Sequence, residues 1–367
     1  MYDEIMSAQR DTGKVVVAMS GGVDSSAAAL TLVEEGYRVV GATFRLGSAA
    51  DHMGNNAMKE EPAFLQRAFS VSSQLGIEHR VMDLRETFRS AVVGPFVAAY
   101  LQGRTPNPCV VCNQEVKFRA LLRVAEEEGA HYVATGHFAR LLPGEDGSFS
   151  LLRARDRGKD QSYVLYRLGQ GELSRCLFPN GDRSKEEVRK LAASRGLPVT
   201  DMEESQDICF LTGFDYRDFL ALCEPRCLSP GSILDTEGKE RGRHDGIAFY
   251  TVGQRRGLGV SAPYPLYVVR LEPERGTVVV GRREEVPGVY LEAEEAHWVR
   301  GDPPAASFDA EAMARYNTPP VPCRVKVTEK GFTLEFADRV WALTPGQHAV
   351  IYRGDEVLGG GVIAAVR

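Results

Sequence analysis

Ser20-Gly21-Gly22-Val23-Asp24-Ser25-Ser26 packs two glycines, a carboxylate and three hydroxyls between an apolar run and a helical pattern. Glycines let the backbone close on a phosphate chain, while loop amides, a helix N-terminus and serine hydroxyls donate to the anion. The Gly-Lys-Ser/Thr ending of a Walker loop is absent, so this loop has no lysine for a γ-phosphate. Sulfur is the second chemistry. Thr105-Pro106-Asn107-Pro108-Cys109-Val110-Val111-Cys112-Asn113 runs into a helical pattern whose expected N-cap is Asn113. Cys112 would then sit at a helix N-terminus, which stabilises a thiolate and lowers a thiol pKa from about 8.5. A further cysteine lies in Glu204-Ser205-Gln206-Asp207-Ile208-Cys209-Phe210. Cys176, Cys223, Cys227 and Cys323 read as small buried hydrophobes.

The elements that must position these groups alternate at first. Residues 14–19 are a continuous apolar run, as in a strand buried on both faces. Further strands are expected over 37–44, 77–83 and 131–136, and helices over 25–35, 62–75, 85–101 and 113–128. Repeated βα units imply a doubly wound parallel α/β sheet, with ligands beyond the carboxyl ends of its strands. Ser184-Lys185-Glu186-Glu187 is a capping box that opens one more helix, to residue 195. After residue 210 the helical period fades. Short strands separated by turn residues follow at 247–252, 266–271, 276–281, 321–328, 332–336, 347–352 and 356–366. That pattern signals an antiparallel barrel. The expected division is a catalytic domain over 1–211, a small linking domain over 212–275 and a β-barrel over 276–367.

At 367 residues, 43% hydrophobic and 26% charged, the chain has room for two or three packed domains and is neither disordered nor fibrous. No apolar run reaches the roughly 18 residues of a membrane span, and the first residues lack a signal-peptide core. A cytoplasmic protein without a membrane partner is expected, and in that reducing compartment a conspicuous spacing among the seven cysteines points to catalysis or metal binding rather than structural disulfides. The net charge of −6 is segregated: +4 over 140–195, +5 over 241–283 and −7 over 284–311. A basic middle flanked by acidic surface suits a localised anionic partner such as a structured RNA.

The serine-glycine loop resembles the pyrophosphatase loop of the ATP-pyrophosphatase superfamily, whose members transfer AMP to a substrate and release pyrophosphate. SGGVDSS, GRTPNPCVVCNQEVKF (103–118), TGHFAR (135–140), KDQSYVLY (159–166), ESQDICFL (204–211), GQRRGLG (253–259) and ARYNTPP (314–320) occur in this order. Together they resemble the tRNA-specific 2-thiouridylase family over nearly the whole chain. The resemblance implies an adenine nucleotide α-hydrolase-like domain, ATP with Mg2+, and replacement of the C2 oxygen of the wobble uridine by sulfur. It implies Cys112 as nucleophile, Cys209 as persulfide carrier and a transient disulfide between them. It places ATP against Ala18, Met19, Ser20, Gly21, Gly22, Val23, Asp24, Ser25, Phe44 and Gly136. Asn107, Pro108, Cys109, His137, Lys159, Asp160, Gln161, Arg315, Tyr316 and Gln347 are the implied tRNA contacts. Implied partners are tRNA with lysine, glutamate and glutamine acceptors, and a cysteine desulfurase or sulfur-relay protein as donor. Many family members carry Asp where this chain has Cys109. A thiol titrates several units above a carboxylate, so that residue's acid/base role does not carry over. Cys109, Cys112 and Cys209 are instead candidate ligands of a [4Fe–4S] cluster with one open iron. A zinc site would need a second Cys-x-x-Cys or a His pair, which the sequence does not provide nearby. Two other readings are a different ATP-pyrophosphatase-type tRNA-modifying ligase and a non-catalytic tRNA-binding or sulfur-carrier protein.

Overall fold

The computed structural model describes residues 13–53, 62–198 and 208–367. The Glu204–Asp207 part of the Cys209 motif lies outside them, as does most of the segment 200–212, which is expected from the sequence to close and bring Cys209 towards Cys112.

Strand β1 (Lys14–Ala18) places Val15, Val16 and Val17 at 0% exposure, the burial expected of an all-apolar parallel strand. It pairs in parallel with β2 (Arg38–Arg45), which pairs with β3 (Glu78–Asp83), and on its other side with β4 (Tyr132–Ala134). A hairpin, β5 (Ala139–Pro143) and β6 (Phe149–Arg153), then interrupts the series before β7 (Cys176–Leu177) completes the sheet order β3-β2-β1-β4-β7. The chain leaves β1 one way and returns on its other side, so the loop after Ala18 stands at the topological switch point. Helix α1 (Val23–Glu34) follows that loop and is buried nearly all round; α2 (Ala63–Leu75) ends at Gly76 in the left-handed conformation.

Two expected helices are built differently. Over 85–101 an α-helical turn passes into a π-helical turn, Arg89–Val93, before α3 (Gly94–Leu101). Pro95 has no N–H to continue the regular ladder, and Gly94 reaches back to the Arg89 carbonyl instead. The cysteine helix starts at Pro108, not at Asn113. Asn107 Oδ1 caps it by accepting from the Cys109 N–H at 3.1 Å, and Pro108 has its φ preset for the first turn. A π turn over Cys112–Phe118 leads into α4 (Arg119–Glu127), while Asn113 is buried and donates to the Val164 carbonyl at 3.1 Å. Helix α5 (Lys185–Ser194) opens with the expected capping box and packs against α1.

The middle module contains α6 (Tyr216–Cys223) and a four-stranded sheet of order β10-β11-β8-β9, from β8 (Gly231–Asp235), β9 (Glu240–His244), β10 (Tyr267–Glu272) and β11 (Thr277–Gly281). Strand β11, grouped with the barrel on sequence, pairs here with β10 and β8. The turn at 273–276, with Gly276 at φ +58°, is the hairpin bend between β10 and β11. Residues 247–249 form a 3₁₀ turn where a strand was expected.

The C-terminal module is a closed antiparallel barrel of six strands: β12 (Tyr290–Trp298), β13 (Ser307–Met313), β14 (Val321–Thr328), β15 (Gly331–Phe336), β16 (His348–Arg353) and β17 (Glu356–Val366). Its order is β12-β15-β14-β13-β16-β17, with β17 returning to β12. Closure removes sheet edges, except that β6 adds to β17 through Leu152 and Glu356. Gly360 lets β17 press against the first module, because a Cβ there would stand 2.9 Å from the Tyr166 ring. Among the described residues no helix is long and apolar enough to cross a membrane.

Candidate active site

The loop is held open by its own side chains. Gly21 adopts φ +73°, and a Cβ there would collide with the Phe64 carbonyl. Ser25 Oγ accepts from the Ser20 N–H at 3.2 Å and donates to the Gly22 carbonyl at 3.0 Å, which Ser26 Oγ also reaches at 2.9 Å. Gly22, the N-cap of α1, offers no side chain to the first helical amides, which are left facing outward for an anion. The segment after β7 braces the loop from behind. Lys185 Nζ donates to both oxygens of Asp24 at 2.6 and 2.8 Å. Asn180 Nδ2 spans the Asp24 and Gly136 carbonyls at 2.9 and 3.0 Å.

A cavity of about 570 Å³ opens in front. Of the expected nucleotide residues, Ala18, Met19, Ser20, Asp24, Ser25, Phe44 and Gly136 line it. Val23 turns into the core, and Gly22 carries its carbonyl towards the two serines. Three more of the expected site residues share this wall: His137, Gln161 and Cys209. His137 pairs through Nδ1 with Thr135 Oγ1 at 2.8 Å and stacks on Phe118. Burial, assisted by the Lys117 charge, pushes its pKa down to about 3, so the imidazole is neutral at physiological pH. Gln161 Oε1 accepts from the Phe138 N–H at 2.9 Å.

The cysteines correct one expectation. Cys112 lies in the π turn rather than at a helix N-terminus, is 4% exposed, and has its thiol pushed up to about 12 by burial. Cys109 opens to the surface, yet desolvation by the surrounding protein also raises its thiol. Lys117 lowers both, and Cys209 couples electrostatically to both, so these four groups form one cluster. All three cysteines are free thiols. Among the described residues no three His, Cys, Asp or Glu side chains converge closely enough to hold a metal ion. Sequence reasoning missed Lys117 and Lys185. The lone cation between apolar Val116 and Phe118 was the available signal for the first.

The remaining expected RNA contacts fall in two other places. Asn107 and Pro108 line a cavity of about 350 Å³ between α3 and the barrel, with Arg104, Arg167, Glu295 and His348. Gln347 stands nearby and donates to the Thr105 carbonyl at 2.8 Å. Asp160 and Tyr316 line a separate groove of about 240 Å³, with Lys159 and Arg315 adjacent in the chain. There Asp160 is 7% exposed and accepts from Arg153, the Ala154 N–H and Ser162, a set of bonds that holds the turn together. Tyr316 lies 5.5 Å from Tyr163, centroid to centroid.

A glycine-serine loop at the switch point of a parallel sheet, with two β modules behind it, defines a nucleotide-binding α/β enzyme of the HUP class. Residues 13–213 match a family model described as the tRNA methyl transferase HUP domain, 217–282 its PRC-barrel domain and 290–363 the aminomethyltransferase β-barrel domain. The tRNA-specific 2-thiouridylase MnmA of Chloroflexus aurantiacus J-10-fl is 47% identical over 95% of this chain and 98% of its own. That of Roseiflexus sp. RS-1 is 46% identical over 96% and 99%. Among solved structures, NMN synthetase from Francisella tularensis is 16% identical with a TM-score of 0.33, covering 61% of this chain and 81% of its own. The chain belongs to the MnmA family of tRNA-specific 2-thiouridylases.

Proposed function

We propose that this tRNA sulfurtransferase adenylates the C2 oxygen of the wobble uridine, U34, and replaces it with sulfur carried as a persulfide on Cys209. In the first step the base oxygen attacks the α-phosphate of ATP and pyrophosphate leaves, cradled by the amides and serines of the 20–26 loop. Adenylation turns a poor leaving oxygen into a good one. The terminal persulfide sulfur then attacks C2, and AMP departs with the original oxygen. The base is now joined to Cys209 through a sulfur–sulfur bond. The Cys112 thiolate attacks Cys209 Sγ, releasing 2-thiouridine and leaving a Cys112–Cys209 disulfide that an external dithiol reduces. Mg2+ would accompany the nucleotide, held mainly by its phosphates and by waters, because both oxygens of the loop carboxylate Asp24 are engaged by Lys185. The target base must leave its stack to reach this depth. Lysine, glutamate and glutamine tRNAs are the proposed substrates, and a cysteine desulfurase or relay protein the donor.

One observation carries this reading. Cys209 stands on the same cavity wall as Ser20, Asp24 and Ser25, so an activated base bound at the phosphate loop is within reach of sulfur. The test uses anaerobically purified protein, unmodified tRNA, Mg-ATP and a desulfurase with cysteine, with 2-thiouridine read by mass spectrometry and iron measured alongside. Thiouridine from iron-free wild type, and none from Cys209→Ser with pyrophosphate still released, is the expected result. Activity that tracks bound iron, or thiolation by Cys209→Ser, would overturn the persulfide route.

A further inference from the structure

Cys209 opens a 3₁₀ turn of three residues, Cys209–Leu211, a form whose hydrogen-bond geometry is poorer than that of an α-helix. Among the described residues the hydrogen bonds of this turn stay local. The Leu211 N–H donates to the Ile208 carbonyl at 2.9 Å and the Phe214 N–H to the Leu211 carbonyl at 2.8 Å. Thr212 Oγ1 donates to the Cys209 carbonyl at 3.0 Å. None of these bonds ties the turn to the parallel sheet, to a long helix or to the phosphate loop. Packing is left to fix its place, and the side chains that pack are Phe210 and Leu211, at 2% and 6% exposure.

Phe210 sits in a seat of rings. Its centroid lies 5.4 Å from that of Phe96, 5.5 Å from those of Phe88 and Phe219, and 6.2 Å from that of His52. All four meet it edge to face, an arrangement that aromatic pairs favour. The walls come from four elements: α3, the helical turn Arg85–Phe88, α6 of the middle module and the short helix Ala49–His52. The last of these reaches the nucleotide cavity, because its cap Ser48 and its Asp51 line it. Cys112 is buried in the same apolar cluster as Phe210. Neighbouring residues therefore face opposite ways. Phe210 is sunk into the junction of two modules, while Cys209, exposed, stands on the cavity wall with Ser20, Asp24 and Ser25. Phe88, Phe96, Phe210 and Phe219 do not line that cavity, so a change in the seat leaves the nucleotide's own contacts in place.

We propose that Phe210 is a positioning residue for the sulfur step: its ring, locked in this seat, holds Cys209 where a base activated at the phosphate loop meets the sulfur. The inference deepens the thiolation reading and rests on it, but its first test does not require tRNA. Full-length protein is alkylated with iodoacetamide at one fixed pH, with and without Mg-ATP, and Cys209 is followed by peptide mass spectrometry. In wild type, bound ATP is expected to slow Cys209 modification by about threefold or more. Phe210→Leu should lose that protection while its ATP affinity, by calorimetry, holds within about twofold. Phe332→Leu, the same change at a fully buried ring of the barrel core, should keep it. With tRNA and a sulfur donor added, thiouridine formed per pyrophosphate released should drop about tenfold or more in Phe210→Leu, since a misplacement of about 1 Å can cost about a hundredfold in rate. A general loss of stability would lower both products together. Protection that survives in Phe210→Leu overturns the proposal. So does protection lost in step with ATP affinity, which would make the seat a support of the nucleotide site. If Phe210→Leu does not fold by circular dichroism, Phe210→Met carries the same comparison under the same criteria. Wild type that ATP does not protect overturns the proposal together with the shared wall on which the thiolation reading stands. Protection that behaves as expected, with no thiouridine even from wild type, would count against the thiolation reading alone.

Discussion

At both Cys112 and His137 burial moves the group towards its neutral form. For Cys112 the folded value of about 12 means the thiol is protonated at neutral pH and the thiolate fraction grows tenfold with each pH unit. With base already joined to Cys209, the release step in a single turnover is expected to quicken about tenfold per unit between pH 7 and 9. A rapid-quench pH series checks this, and a flat profile would remove Cys112 from that step. His348 makes the matching prediction for stability. It is 3% exposed, bonds Tyr166 OH through Nδ1 at 2.8 Å, and is pushed down to about 3 by burial. An unfolded imidazole titrates near 6.5, so between those values the unfolded chain holds the extra proton and stability falls as pH falls. The expected contribution is about 1.4 kcal/mol per pH unit below 6.5. Stability from urea denaturation at pH 7, 6 and 5 should fall with pH, and His348→Gln should fall less steeply than wild type.

Elements, more than residues, explain what could be read in advance. The phosphate loop was legible because strand, glycines and helix follow one another without interruption, and so were the alternating strands 321–328 and 332–336. The cysteine helix was misjudged by five residues because two asparagines compete as its cap. Only the fold shows Asn107 bonded to an amide and Asn113 buried against Val164. Asn107→Ala should therefore cost about 1 kcal/mol in chemical denaturation, besides any effect on tRNA. Strand β12 was missed because its solvent side carries glutamates, although Leu291 and Ala293 alternate with them into the core. Lys117 was harder to read for another reason: its one mark is a cation between two apolar residues, and the π turn that carries it leaves none in hydrophobic periodicity. Gly136 belongs at this scale too. A Cβ there would lie 2.6 Å from the Asp24 carbonyl carbon and the Ser25 nitrogen, where backbone on both sides cannot yield. Gly136→Ala should destabilise the protein by about 1–3 kcal/mol in thermal melts and weaken ATP binding as the loop is pushed from its place.

Across the whole molecule, the barrel is tied to the catalytic module at the segment that leads into the Asn107 cap. The Thr105 N–H donates to Pro345 at 2.9 Å, and Gln347 donates to the Thr105 carbonyl just before the Asn107 cap. Gln347→Ala removes one of these two ties. We expect a raised KM for tRNA with little change in ATP-dependent pyrophosphate release; equal loss of both would mean the tie serves the nucleotide site.

The β5–β6 hairpin also sets an order of events while the chain is being made. It leaves the first module between two strands of the parallel sheet, yet the strand it joins, β17, is the last in the chain. Ser150 on β6 finds Glu356 as its partner, 206 residues further on. At the roughly 5–20 residues per second of synthesis, that edge waits about 10–40 s on the ribosome. Through that interval a nascent chain that already contains the phosphate loop still displays the unpaired outer edge of β6. A translation product stalled before residue 356 would be nearly whole in sequence and open at its flank, a natural substrate for chaperones.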